Sequence, residues 1–277
     1  MRGGNPAGST DDAHVEGLET WFGTHAGEWR DAYRDVRRVN DLVLIERQDL
    51  AVAYVRKHVP EGGSVLDAGC GAGWASLELA GRGYAVLGVD LAPEMIDQCE
   101  RTFADAGVPS DRYAFARGDL LTVDLAPASF DGIVALGVLQ YQFDEGRLLE
   151  RFRDLLRPGG VLVVAGPVGR SIPNLFGSVA AAGSALRKLR LLPRKPTAGR
   201  TQHRYSLGRL HRLLEAAGFE VIEAKGHGFG DWVVIGGVLG FRGELALHRS
   251  FTWISRLVPV GRLGNDLVVA ARTRPTS

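Results

Sequence analysis

From residue 64 onward, short and nearly continuous apolar runs alternate with longer stretches whose apolar residues recur at helical spacing. The runs predict strands at 64–68, 84–90, 113–117, 129–136, 161–165, 219–224 and 266–271. Between them the spacing predicts helices at 74–82, 92–106, 144–156 and 205–217, with Leu148, Leu149, Phe152 and Leu155 as the clearest helical stripe. Punctuation agrees: Pro93 and Glu94 suit a first helical turn, and Arg157-Pro158-Gly159-Gly160 stops a helix. Strands that are apolar throughout belong to a parallel sheet covered on both faces, so the fold class is α/β. Ahead of the first strand, residues 15–38 and 41–58 read as two helices; Trp21, Phe22, Trp29 and Tyr33 are the large residues of the first. The expected organisation is a disordered Gly- and Ser-rich tail at 1–12, a helical cap at 13–60, and a main domain at 61–277. Residues 168–204 and 229–260 read as insertions that cover one side of that domain.

Composition changes this picture little. Hydrophobic residues make up 45% of the 277 and charged residues 23%, with a formal net charge of +1, as in an ordinary globular chain. The first ten residues lack the apolar core of a signal peptide, and the apolar run at 232–241 is well short of the ~20 residues a membrane-spanning helix needs. Cys70 and Cys99 suggest neither a disulfide framework nor a metal-ligand pair, which fits a reduced, cytoplasmic setting. The distribution of charge says more. Residues 155–214 hold eleven Lys and Arg residues and no Asp or Glu, with Leu186, Leu189, Leu191 and Leu192 interleaved. This segment is expected to favour an anionic or amphiphilic small molecule, with peripheral lipid contact through 184–200. Nucleic acid is not expected as a partner, because aromatic residues are not interleaved with these cations.

Candidate chemistry concentrates in Val65-Leu66-Asp67-Ala68-Gly69-Cys70-Gly71-Ala72-Gly73-Trp74, a strand, a glycine turn and the start of a helix. Glycine lets the backbone bend sharply and lets a ligand approach without meeting a Cβ. The next strand ends in Asp90, 17 residues after Gly73, a spacing that sets a carboxylate beside a ribose held over the turn. Asp119 follows the third strand. Two cofactor classes compete for such a turn. A dinucleotide asks for Gly-x-Gly-x-x-Gly, yet Trp74 occupies the third glycine's place and Asp67 would repel a pyrophosphate. Asp67 suits a cofactor that carries an ammonium group, as S-adenosylmethionine does. An NAD-dependent oxidoreductase is the remote alternative.

On these residues the chain resembles the class I S-adenosylmethionine-dependent methyltransferases. The resemblance rests on the glycine turn with its strand, on Gly88-Val89-Asp90, Gly118-Asp119-Leu120 and Phe130-Asp131-Gly132-Ile133-Val134, and on Leu156-Arg157-Pro158-Gly159-Gly160 and Leu214-Glu215-Ala216-Ala217-Gly218-Phe219. It covers about residues 60–225 and the final strand. It implies a Rossmann-like fold, a seven-stranded, mostly parallel sheet whose last strand is antiparallel, with S-adenosylhomocysteine as the product of the cofactor. It further implies that Gly69 and Gly71 let the backbone meet the methionine portion, which Asp67 orients, and that Asp90 accepts both ribose hydroxyls. Leu91 would pack on adenine, Asp119 accept from its amino group, the Leu120 backbone read the ring edge, and the Leu136 carbonyl meet the ammonium. From the cap, Tyr33 or Arg47 would close over the cofactor.

The acceptor is less defined. Trp21-Phe22 through Trp29 and Tyr33 is similar to the N-terminal helices of Mg-protoporphyrin and quinone O-methyltransferases. A histidine commonly follows the fourth strand in both groups, whereas here Leu139-Gln140-Tyr141 stands there, which puts porphyrin and quinone acceptors in question. Tyr141 and His203 are the catalytic candidates, with Gln140, Tyr205, His227 and Asp231 in the same region, and no metal is expected. The expected activity is methyl transfer to a small molecule, oxygen first, as in natural-product or lipid and sugar intermediates. Transfer to nitrogen or carbon, or a cofactor-binding protein that performs cyclisation or no methyl transfer, are the alternatives. Oligomeric state stays open.

Overall fold

The computed structural model describes residues 7–169, 171, 203–230, 235–257 and 264–274. Three helices come first: α1 (Ala7–Thr24), α2 (Ala26–Ala32) and α3 (Val39–His58). The core follows with β1 (Ser64–Ala68), α4 (Trp74–Gly81), β2 (Ala85–Asp90), α5 (Pro93–Ala106), β3 (Tyr113–Arg117) and β4 (Phe130–Leu136). A 3₁₀ turn (Leu139–Tyr141) leads to α6 (Glu145–Leu155) and β5 (Leu156–Pro167). Then come α7 (Leu207–Ala216), β6 (Phe219–His227), α8 (Ile235–Leu257) and β7 (Asp266–Thr273). Among the described residues the strands form a seven-stranded sheet of order β3-β2-β1-β4-β5-β7-β6. β7 runs antiparallel to both β5 and β6, and every other pairing is parallel.

Alternate strand residues point to opposite faces, and the sheet uses both. Leu66, Ile133, Leu162 and Val269 join Leu148, Phe152, Leu210 and Leu214 of α6 and α7 on one side. Their sequence neighbours Val65, Val134, Val163 and Val268 join Val52 and Val55 of α3, Leu79 of α4 and Phe103 of α5 on the other. Each such side chain removed from water contributes roughly 1.5–3 kcal/mol, which is why residues of the run are apolar on both faces. Side-chain caps begin two helices: Asp144 Oδ1 accepts the Arg147 N–H at 3.0 Å ahead of α6, and Ser206 Oγ accepts the Arg209 N–H at 3.2 Å ahead of α7.

Four expectations change. The helix expected at 15–38 is two helices, broken at His25, where Thr24 Oγ1 donates to Thr20 O and the His25 ring bonds Trp21 O, so that side chains occupy the last carbonyls. The tail expected through residue 12 is helical from Ala7. The fifth strand, expected at 161–165, begins at Leu156, because that residue pairs with Phe130 directly after α6 ends. Most of 229–260 is α8, which bends at Gly240. The basic segment 184–200 lies outside the described residues, and the ends of its insertion meet where Gly169 N–H donates to Tyr205 O at 2.9 Å. Among the described residues no helix is long and apolar enough to cross a membrane.

Candidate active site

Chain order reverses between β1 and β4, and open α/β sheets bind ligands beyond the carboxyl ends of strands at such a reversal. The glycine turn leaves β1 there. The N–H groups of Gly69 and Cys70 both donate to Val89 O, at 2.7 and 3.1 Å, strapping the turn to β2. Gly69 has φ +71° and a Cβ on it would lie 2.3 Å from Val138 Cγ2; at Gly71, φ +55°, a Cβ would meet nothing within 4 Å. One glycine is required by crowding, the other borders open space. Cys99 reaches over from α5, its thiol donating to Gly71 O at 3.0 Å and lying 3.6 Å from Cys70 Sγ. Both cysteines are free and buried, and the neighbouring Cys99 thiol together with burial pushes the Cys70 thiol up, away from reactivity.

Three carboxylates surround the turn. Asp67, 2% exposed, accepts from Ser76 Oγ at 2.6 Å. Burial raises its pKa to about 6; Ser76 opposes the rise and the Asp90 charge adds to it. No salt bridge reaches Asp67 among the described residues. Asp90 takes the Gly71 N–H on Oδ2 at 2.9 Å and the Ala92 N–H on Oδ1 at 3.1 Å. Each of its oxygens is therefore half committed to the backbone, and of about four lone-pair sites on a carboxylate two are left for a ligand. Burial pushes Asp90 up, against the pull of these N–H groups. Asp119 Oδ1 accepts the Leu121 N–H at 3.0 Å, which fixes the start of the loop after β3.

A cavity of about 430 Å³ opens over these residues. Asp67, Gly69, Gly71, Asp90, Leu91, Asp119, Leu120 and Leu136 all line it. Tyr33, Arg47 and Tyr141 line the same cavity. The Arg47 guanidinium lies 3.5 Å from Asp266 and 3.4 Å from the Tyr33 hydroxyl, so the two cap residues expected as alternatives act as a pair. Burial opposes the Arg47 charge, and Tyr33, Asp266 and Tyr141 together outweigh it. The facing wall comes from the cap: His14, Val15, Leu18 and Phe22 of α1 and Trp29 of α2. Phe22 packs edge-on against Tyr141 at 5.3 Å, and His14 Nε2 donates to Tyr141 O at 2.8 Å. Val15, Leu18 and Phe22 share a helical stripe that the sequence displays; nothing in the sequence pairs His14 with Tyr141.

Several acceptor-side candidates sit elsewhere. His203 is not among the lining residues: its N–H donates to Gln140 O at 2.8 Å and its Nε2 to Gln142 O at 3.0 Å, so it braces the back of the 3₁₀ turn. Tyr205 is a core residue whose hydroxyl donates to Glu145 Oε1 at 2.6 Å. His227 is buried 3.6 Å from Glu46, whose other oxygen accepts from His248 Nε2 at 2.9 Å. Burial would raise Glu46, but the two histidines hold it down to about 2, and the trio ties α3 to β6 and α8. Gln140 does line the cavity, and Asp231 lies outside the described residues. Among the described residues no three His, Cys, Asp or Glu side chains are grouped to hold a metal ion.

This sheet order, the glycine turn and the carboxylate-ringed cavity define an enzyme of the Rossmann-like, nucleoside-cofactor class. Residues 65–160 match the family model described as a methyltransferase domain. Over 182 residues, 65% of this chain and 70% of the relative, the sequence is 32% identical to a ubiquinone biosynthesis O-methyltransferase of Xylella fastidiosa. It is 29% identical over 168 residues, 60% of this chain and 56% of the relative, to an S-adenosyl-L-methionine-dependent Diels-Alderase of Talaromyces variabilis. The fold is similar to that of magnesium protoporphyrin IX methyltransferase from Synechocystis PCC 6803 with bound S-adenosylhomocysteine, with a TM-score of 0.63, 17% identity and coverage of 93% of this chain and 98% of that one. The chain belongs to the class I S-adenosylmethionine-dependent methyltransferases. Its cofactor is S-adenosylmethionine.

Proposed function

We propose that the cavity at the β1–β4 edge holds S-adenosylmethionine and a small hydroxylated acceptor side by side, and that the enzyme methylates the acceptor on oxygen. One observation carries this reading: a single cavity joins the three carboxylates to an aromatic wall of Phe22, Trp29 and Tyr141. The donor residues fit the cofactor chemically. A carboxylate buried without a cationic partner among the described residues, as Asp67 is, gains most from a ligand bearing an ammonium group. Asp90 keeps two lone-pair sites for ribose hydroxyls, Leu91 and Leu120 supply apolar surface for a base, and Asp119 offers its carboxylate to an amino group. Arg47 with Tyr33 is suited to the cofactor's carboxylate.

The bound cofactor supplies an activated methyl group on a sulfonium. The protein's part is to hold the acceptor in line with it, and such positioning can supply roughly 7–11 kcal/mol. Phe22, Tyr141 and Phe143 favour a planar acceptor, and Arg147, lining the same cavity, favours one with an anionic group. Oxygen is chosen because the 32% identical relative is an O-methyltransferase. A second reading, cyclisation with the cofactor bound but unconsumed, is favoured by the Diels-Alderase relative. The test incubates the protein with methyl-labelled S-adenosylmethionine and a panel of hydroxylated aromatic acids. S-adenosylhomocysteine and a labelled methyl ether are expected. Cofactor binding without S-adenosylhomocysteine on any acceptor would shift the assignment to cyclisation.

A further inference from the structure

We propose that His14 is the general base of the transfer, taking the acceptor's hydroxyl proton on Nδ1. The proposal rests on the oxygen-methylation reading above. A carbonyl oxygen can only accept, so the 2.8 Å contact between His14 Nε2 and Tyr141 O requires the proton on Nε2. The neutral ring then carries its lone pair on Nδ1, and that atom has no hydrogen-bond partner among the described residues. The ring is held from a second side by Phe143, with centroids 4.1 Å apart and planes tilted by 44°. It lines the cavity together with Tyr141, on the wall facing the three carboxylates. A fixed tautomer, a free basic nitrogen and a place in the acceptor half of the cavity are what proton abstraction from a bound hydroxyl requires.

The other polar groups around the acceptor are less suited to the task. Asp144 Oδ1 is engaged as the cap of α6. Asp12, exposed near the start of α1, and Arg147, an obligate cation, complete the charged groups of this wall. His203, the other histidine expected to act in catalysis, has its Nε2 committed to Gln142 O and is not among the lining residues. In the step itself, the acceptor's O–H bond breaks and its proton passes to His14 Nδ1. The oxygen forms the bond to the methyl carbon, and the carbon–sulfur bond breaks with its electron pair left on sulfur. The imidazolium then returns its proton to water.

The test compares wild type with His14→Gln on phenols of graded acidity, from 4-methoxyphenol to 4-nitrophenol, alongside calorimetry with S-adenosylhomocysteine. Glutamine can still donate to the Tyr141 carbonyl but offers no basic nitrogen. The expected result is a rate loss of about 10²–10⁴-fold on the least acidic phenols, shrinking to within about threefold on 4-nitrophenol, which is ionised before it binds. S-adenosylhomocysteine affinity should stay within about twofold of wild type. An equal loss across the series, no loss at all, or a lost S-adenosylhomocysteine affinity would overturn the assignment of His14 alone. A wild-type protein that binds S-adenosylhomocysteine but methylates no phenol would overturn the oxygen reading and this proposal with it.

Discussion

The two halves of the cavity are built by different means. On the donor side, the bonds that shape the site join residues close in sequence: Ser76 to Asp67, nine apart, Gly71 to Asp90, 19 apart, and Cys99 to Gly71, 28 apart. On the acceptor side, His14 meets Tyr141 across 127 residues, and Phe22 packs edge-on against the same tyrosine from α1. A site closed by short-range bonds is completed as soon as β1, α4, β2 and α5 come together. A wall closed by long-range bonds depends on how the cap docks, and its shape can be changed without disturbing the donor seat. The same cofactor half can in this way serve different acceptors.

Substitutions on the two sides should therefore fail differently. The largest effect is expected for Asp90→Ala, which removes a ligand acceptor and frees the Gly71 and Ala92 N–H groups: S-adenosylhomocysteine affinity should fall about 100-fold by calorimetry, a loss of roughly 2.7 kcal/mol. Gly69→Ala comes next. It puts a Cβ against Val138 at a positive φ, and should cost about 1–3 kcal/mol of stability in chemical denaturation along with cofactor binding. Asp67 should make cofactor affinity rise with pH, by up to about tenfold per unit below its value near 6 and flatly above it, because the ammonium is held by the ionised form. The unliganded fold responds with the opposite sign. Its carboxyl is raised from 3.8, so this group's contribution to stability is complete below 3.8 and is lost as pH rises through about 6. Asp67→Asn should bind more weakly and abolish the slope. The smallest effect belongs to His203→Ala, which removes one side-chain hydrogen bond worth about 0.5–1.5 kcal/mol and should leave S-adenosylhomocysteine affinity unchanged. A cofactor defect in that variant would mean that the 3₁₀ turn is shared by both halves.

The same division explains what the sequence reveals. Strands β1 and β3 run over the expected residues, because apolar runs and glycine punctuation are local signals. Asp67, Asp90 and Asp119 are legible because each lies at or just past the carboxyl end of a strand, on the ligand-binding edge. The break at His25 was not, since it depends on side chains competing for carbonyls inside an otherwise helical pattern. His203 and Tyr205 have the polar side chains an acceptor site needs, yet one braces a turn and the other is buried on Glu145. His14 carried no signal at all. Its environment exists only when α1 lies across the 3₁₀ turn, and no spacing rule connects residues so far apart.

Hydrogen–deuterium exchange of the wild-type protein with and without S-adenosylhomocysteine tests the central claim most directly, because it reports both halves at once. The account predicts slowed exchange at 69–73, 90–92, 119–122 and 136–138, the segments at and beside the residues that line the cavity, and a smaller protection of α1 over 12–22. Binding that leaves 69–73 and 90–92 unprotected would contradict it.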